Sequence, residues 1–186
     1  MELKYKITIH SVWHCGSGES KGADIDALVI KDKQGLPYIP GKTIKGLIKD
    51  GIQSVKDYQP ELVEESDIKT IFGEEGKCAG VCFFKNAVLP EQIHEFLSTE
   101  EGDTYKKQLF NKISSTSIDS LTGVADEHSL RSIEVTIPVE LEGEIIDVPE
   151  EFMRKIGLAM KLIKNFGVGR NKGLGRCKFE LKGENQ

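Results

Sequence analysis

FMRKIGLAMKLIKNFGVGRNKGLGRCKFELKG (152–183) holds a helix, a glycine-rich loop and a strand, in that order, and the order decides the fold. Phe152, Ile156, Ala159, Met160, Ile163 and Phe166 recur at helical spacing and predict one amphipathic helix running to Phe166, with Arg154, Lys155 and Lys161 off its apolar face. GVGRNKGLG (167–175) follows as a loop, and RCKFELKG (176–183) predicts a last strand. A dinucleotide fingerprint needs the reverse: a strand before the glycines, a helix after them and a further strand beyond. That reading fails, and a Walker loop fails with it, because these glycines are followed by no Gly-Lys-Ser/Thr. What remains is a backbone that can approach phosphate closely, with Arg170, Asn171, Lys172 and Arg176 to supply charge and hydrogen bonds.

The charge pattern around this loop supports an anionic partner. The 186-residue chain carries a formal net charge of −5, which by itself argues against a polyanion. From Arg154 to Phe179, however, no Asp or Glu occurs, while Arg154, Lys155, Lys161, Lys164, Arg170, Lys172, Arg176 and Lys178 do. The acidic excess sits in 61–67, 74–75, 95–103 and 140–151, so a local positive surface is expected on an acidic body. A composition 38% hydrophobic and 30% charged is that of a globular protein, and the length suits one domain. No apolar run approaches a membrane span and MELKYKITIH does not read as a secretory signal, so a cytoplasmic location and no membrane partner are expected. Cys15, Cys78, Cys82 and Cys177 are scattered; with His14 they invite a zinc reading, but paired CxxC knuckles are missing and buried free thiols are expected.

Outward from the C-terminal segment, the pattern alternates strands and helices. LKYKITIHSVW (3–13) has a period of two and predicts a half-buried strand, and DIDALVIKD (24–32) a second one after the loop HCGSGESKG (14–22). KQGLPYIPG (33–41) is turn chemistry leading into a helix at about 42–57, where Ile44, Ile48, Ile52 and Val55 form the apolar stripe. Lys42, Lys45, Lys49 and Lys56 share another face: either a solvated face or one whose start, with free N–H groups, meets an anion. The acidic segment 57–77 predicts a short helix through 68–72, 80–90 an apolar strand, and 91–112 an exposed helix. Residues 114–132 suit a protruding loop or hairpin, and IEVTIPVELEG (133–143) one more strand. The fold class is α+β: a single ferredoxin-like (RRM-like) core over 1–186, with insertions at about 57–79 and 91–132.

Three segments in this order resemble a known family. GVGRNKGLGR (167–176) is similar to the glycine-rich signature of the RAMP superfamily of CRISPR proteins. IDALVIKDKQGLPYIPGKTIKGLIK (25–49) resembles the backbone subunit of type III CRISPR effector complexes: Asp26, Pro40-Gly41 and Lys45-Gly46 are kept. Lys42-Thr43 stands where that family usually has two serines, and Lys49 where it usually has Arg, which loses bidentate geometry. SIDSLTGVADEHSLRSIEVTIP (117–138) resembles its thumb hairpin.

The resemblance implies copies of the chain stacked along a guide RNA, next to other effector subunits. Guide contacts are expected at His14, Lys42, Thr43, Lys45, Lys49, Arg170, Asn171, Lys172 and Arg176. It also implies that the thumb wedges between guide and complementary target RNA. Asp26 would then promote target cleavage with a divalent metal, magnesium the first choice, and Asp24 is a second candidate. Such an endoribonuclease would act only within the assembled complex. Two other readings stay open: a metal-free guide-processing endoribonuclease using His14 or His10 as base, and a binding-only subunit with an inert Asp26 and no cofactor. A lone carboxylate is also commonly just a turn cap or an ion-pair partner, and a histidine beside a loop is commonly a packing residue.

Overall fold

The computed structural model describes residues 1–22 and 24–183. In chain order the elements are β1 (Leu3–Ile9), α1 (Gly41–Tyr58), α2 (Glu65–Phe72), β2 (Gly73–Glu74), β3 (Cys78–Ala79), β4 (Phe83–Phe84), α3 (Glu91–Leu97) and α4 (Glu100–Lys106). There follow β5 (Phe110–Ser115), β6 (Arg131–Thr136), β7 (Glu140–Ile146), α5 (Glu150–Leu162) and β8 (Cys177–Leu181). Among the described residues no helix is long and apolar enough to cross a membrane.

Strand β1 organises the core. Its alternation buries Leu3, Tyr5, Ile7 and Ile9 and leaves Lys4, Lys6 and Thr8 on the other side. It pairs antiparallel with β7, Ile7 opposite Leu141, and with β8, Ile7 opposite Phe179. With β4 beyond β7 the sheet order is β4-β7-β1-β8. The path β1-α1-β4 and β7-α5-β8 is the split βαβ plan of the ferredoxin-like fold, as the sequence predicts.

Helices α1 and α5 cover the buried face. Ile44, Ile48, Ile52 and Val55 face inward from α1, and Phe152, Ile156, Ala159 and Met160 from α5. The two come close because Gly51 faces Ala159: a Cβ on Gly51 would stand 2.8 Å from the Ala159 carbonyl oxygen. Each fully buried Ile or Phe contributes about 1.5–3 kcal/mol, so this interface is a principal source of stability.

Several elements differ from expectation, each for an identifiable reason. The last helix stops at Leu162, and Ile163 is extended. Residues beyond it pair with the returning chain instead: Cys177 N–H donates to the Lys164 carbonyl (2.8 Å) and Phe166 N–H to that of Gly175 (3.1 Å). Segment 24–32 is an irregular ribbon rather than a strand, held by isolated bridges such as Gly16 to Val29 and Ala27 to Ile133. Segment 91–112 is two short helices and the start of a strand; Ser98 ends one helix and Thr99 caps the next, accepting from Gly102 N–H at 3.1 Å. Residues 133–143 split at Pro138, which has no N–H for the ladder, so β6 pairs with β5 while β7 enters the main sheet. Of 80–90 only Phe83–Phe84 is regular strand.

Candidate nucleic-acid interface

The glycine-rich loop is the closed tip of a narrow hairpin. Asn165 bridges to Arg176 at its base, and a tight turn over Arg170–Lys172 forms its end. Gly167, Gly169, Gly173 and Gly175 all have positive φ. Two of them are also pressed against backbone: a Cβ would fall 2.4 Å from the His14 carbonyl oxygen at Gly167 and 2.0 Å from that of Phe166 at Gly175. Arg170, Asn171, Lys172 and Arg176 are exposed, and among the described residues their side chains form no hydrogen bond or ion pair.

A second basic feature meets this loop across residues 12–16. Val168 N–H donates to the His14 carbonyl (3.1 Å) and Gly175 N–H to that of Val12 (2.9 Å). The adjacent Cys15 thiol, pushed up by burial, lies beside the Thr43 hydroxyl and the Lys42 ammonium, which pull the other way. The first turn of α1 thus stands one residue away from the glycine loop. It holds no acidic residue, and Lys42 and Lys45 make no ion pair among the described residues. The lysine face of α1 is divided, however. Lys56 is engaged by Glu65, and Lys49 also lies in the field of that carboxylate. Gly41-Lys42-Thr43 has the closing letters of a Walker loop, but the position for its first glycine is the fully buried Leu36.

The predicted acids sit on the irregular ribbon against the β5–β6 hairpin. Asp26 and Ser132 exchange two bonds: Ser132 N–H donates to Asp26 Oδ2 (2.7 Å), and Asp26 N–H to the Ser132 carbonyl (2.8 Å). Asp26 is exposed, and its Oδ1 has no partner among the described residues. Asp24 is tied instead to Lys112 of β5 (2.6 Å), whose ammonium holds the carboxyl below the usual carboxylate range. The two acids therefore do not form one cluster. Among the described residues no group of three or more His, Cys, Asp or Glu side chains could hold a metal ion. One open carboxylate oxygen is too few donors to hold a cation without phosphate or water oxygens beside it.

His14 is corrected by its burial. Only 2% exposed, it points inward and its Nδ1–H donates to the Glu134 carbonyl at 2.6 Å. It braces the site and offers no ring to RNA. His10 is exposed, and its N–H donates to the Arg176 carbonyl at 2.7 Å. Of the cysteines, 15, 82 and 177 are buried and Cys78 is exposed, against the expectation for that one. Burial pushes the Cys177 thiol up to about 12.

Two features escape a reading of the sequence. Glu134 accepts from Val29 N–H (3.0 Å) and Lys31 Nζ (2.9 Å), which its position in an alternating strand does not announce. The open face of the main sheet, where RRM-like proteins present aromatics, is a charge lattice. There Lys6 meets Glu140, Lys85 meets Glu144, Lys178 meets Glu180 and Lys182 meets Glu142, at 2.7–3.2 Å.

A sequence model of the RAMP superfamily matches residues 6–178. Two solved structures share the fold. One is a chain of the cryo-EM structure of the Type III-B Cmr-beta bound to cognate target RNA, at TM-score 0.76 and 14% identity, covering 97% of each chain. The other is a chain of the Type III-B Cmr-beta cryo-EM structure of the apo state, at TM-score 0.72 and 13% identity, covering 99% of this chain and 98% of that one. No curated protein matches.

Proposed function

The chain belongs to the RAMP superfamily, and from that premise we propose that it is a guide-RNA-binding backbone subunit of a type III CRISPR ribonucleoprotein in the cytoplasm. The observation that carries this reading is the junction at residues 12–16, which an unpaired basic glycine loop and the unpaired basic start of α1 both contact. Backbone N–H groups, Arg170, Lys172 and Arg176 on one wall and Lys42, Thr43 and Lys45 on the other suit a phosphodiester backbone, not base edges. Lys49 extends this wall along α1. The likeness in fold to chains of Cmr-beta, one of them bound to target RNA, supports a place in such an assembly, among copies of itself and other subunits. Asp26 is the residue for target cleavage, because its Oδ1 is open while Ser132 fixes the other oxygen. Asp26, with phosphate and water, would hold a magnesium ion, which would supply charge stabilisation to the transition state when bound. Asp24, engaged by Lys112, is the weaker candidate.

The complex, reconstituted with guide and complementary target RNA, tests both halves. Arg170→Ala with Lys172→Ala is expected to weaken guide binding almost equally for unrelated sequences, lowering the salt slope by about 0.7 for each phosphate no longer neutralised. A strongly sequence-dependent loss would overturn the backbone-contact reading. Asp26→Ala is expected to abolish regularly spaced, magnesium-dependent cuts while target binding persists. Unchanged cutting would leave a binding-only subunit, and cleavage of precursor RNA by the isolated protein in EDTA would favour a processing enzyme.

A further inference from the structure

The wall behind Asp26 is built around one half-buried acid on β6. Glu134 has a side chain only 13% exposed, and every polar group it owns is engaged. Oε2 accepts from Val29 N–H at 3.0 Å and Oε1 from Lys31 Nζ at 2.9 Å. Its own N–H donates to the Ala27 carbonyl at 3.0 Å, and its carbonyl accepts from His14 Nδ1–H at 2.6 Å. Ser132, two residues earlier on the same side of the strand, holds Asp26 by two bonds. His14 in turn presents its carbonyl to Val168 N–H, with Gly167 packed against it. A continuous path of hydrogen bonds therefore runs from the Asp26 ribbon through Glu134 and His14 to the glycine-rich loop.

We infer that Glu134 is a positioning residue that fixes the Asp26 ribbon and, through His14, holds it in one frame with the RNA-binding loop. The ribbon needs such a device, because it lacks a regular ladder and touches its neighbours by isolated bridges. A carboxylate suits this role because one oxygen takes a backbone N–H while the other is neutralised by Lys31, itself steadied 4.0 Å above the Phe110 ring. A bond to a charged acceptor is stronger than one between neutral groups, and losing it leaves Val29 N–H without a partner. The catalytic consequence rests on the proposed role of Asp26; the mechanical one does not.

Two readouts separate these. In the intact chain, Glu134→Ala is expected to speed amide exchange across 26–29 by about tenfold or more, with β1 and α1 unchanged. His14→Phe, which keeps a ring and removes the donor, is expected to do the same at Val168. In the assembled complex Glu134→Ala is expected to slow target cleavage about 10- to 100-fold, as a small misplacement of a reacting group does, with target affinity within about twofold. Glu134→Gln, which keeps an acceptor for Val29, should restore most of both. Should the alanine variant not fold, Lys31→Met replaces it in both measurements.

Ribbon exchange that stays at the wild-type rate, or rises equally everywhere with Gln no better than Ala, overturns the inference. Wild-type cleavage by Glu134→Ala, while Asp26→Ala is dead, overturns its catalytic half alone. If Asp26→Ala still cuts, the proposed cleavage role falls, and exchange alone decides whether Glu134 is the brace.

Discussion

Gly175 shows how narrowly single residues are specified around the glycine loop. Its φ of +66° disfavours any side chain, and the Phe166 carbonyl occupies the space a Cβ would need. Gly173 has a similar φ of +87° but open space around it. Gly175→Ala is therefore expected to destabilise the protein by roughly 2–5 kcal/mol, from backbone strain plus overpacking. Gly173→Ala should cost about 1–2 kcal/mol, from conformation alone. Urea unfolding of the two variants checks the ranking, and equal losses would refute the steric argument. The glycines were legible as a loop from their spacing, though not which of them touch backbone. Asp26 is a candidate on its motif alone; its hydrogen-bond partner Ser132 lies 106 residues away, beyond the reach of any local pattern. His14 stood beside glycines and suggested RNA, but its ring turns inward to a carbonyl 120 residues on.

Among the elements, α1 carries both a core stripe and a lysine face on one helical period. The isoleucine stripe was fully legible, because nothing competes with a 3.6-residue repeat that ends at Pro60. The lysine face was half legible: α2 arrives over its C-terminal end and brings Glu65 to Lys56. Lys45→Ala is accordingly expected to weaken guide RNA binding several-fold, and Lys56→Ala to leave it within about twofold, since one phosphate interaction is at stake in the first and none in the second. Filter binding at two salt concentrations tests this, and equal effects would return the helix face to a generic charged surface. The helix α5 stops at Leu162, short of the helical spacing that Ile163 and Phe166 continue. The partners that draw the chain out of it, Gly175 for Phe166 and Cys177 for Lys164, come after the turn.

Across the whole molecule the charges divide into paired and unpaired sets. The basic run from 154 to 179 is only partly available, because Lys155 is bound to Asp67 (2.5 Å) and Lys178 to Glu180. The sheet lattice has a pH signature. Lys85 holds the Glu144 carboxyl below its ordinary 4.5, and Lys178 does the same for Glu180. A carboxyl lowered in the folded state contributes stability above its unfolded value, and that contribution is lost as pH falls through the folded one. The thermal midpoint is thus expected to hold from pH 7 to about 5 and to fall below about 4.5, less steeply for a Lys85→Met, Lys178→Met variant. A variant that tracks the wild type down to about pH 3 would deny the lattice that role. The topology itself is legible as an order of strands and helices, whereas the set of unpaired basic residues requires knowing which lysines find a glutamate.

The placement of β1 at the centre of the sheet also sets a schedule for the protein's birth. Its partners are β7 and β8, so this strand must wait for residues about 140 and 180 before either side is covered. At typical elongation rates this is on the order of ten seconds during which Leu3, Tyr5, Ile7 and Ile9 form an unpaired, sticky edge on the nascent chain. Such long-range pairing makes for slow closure, and Lys4, Lys6 and Thr8, alternating with those four residues, place charge and polarity along the waiting strand.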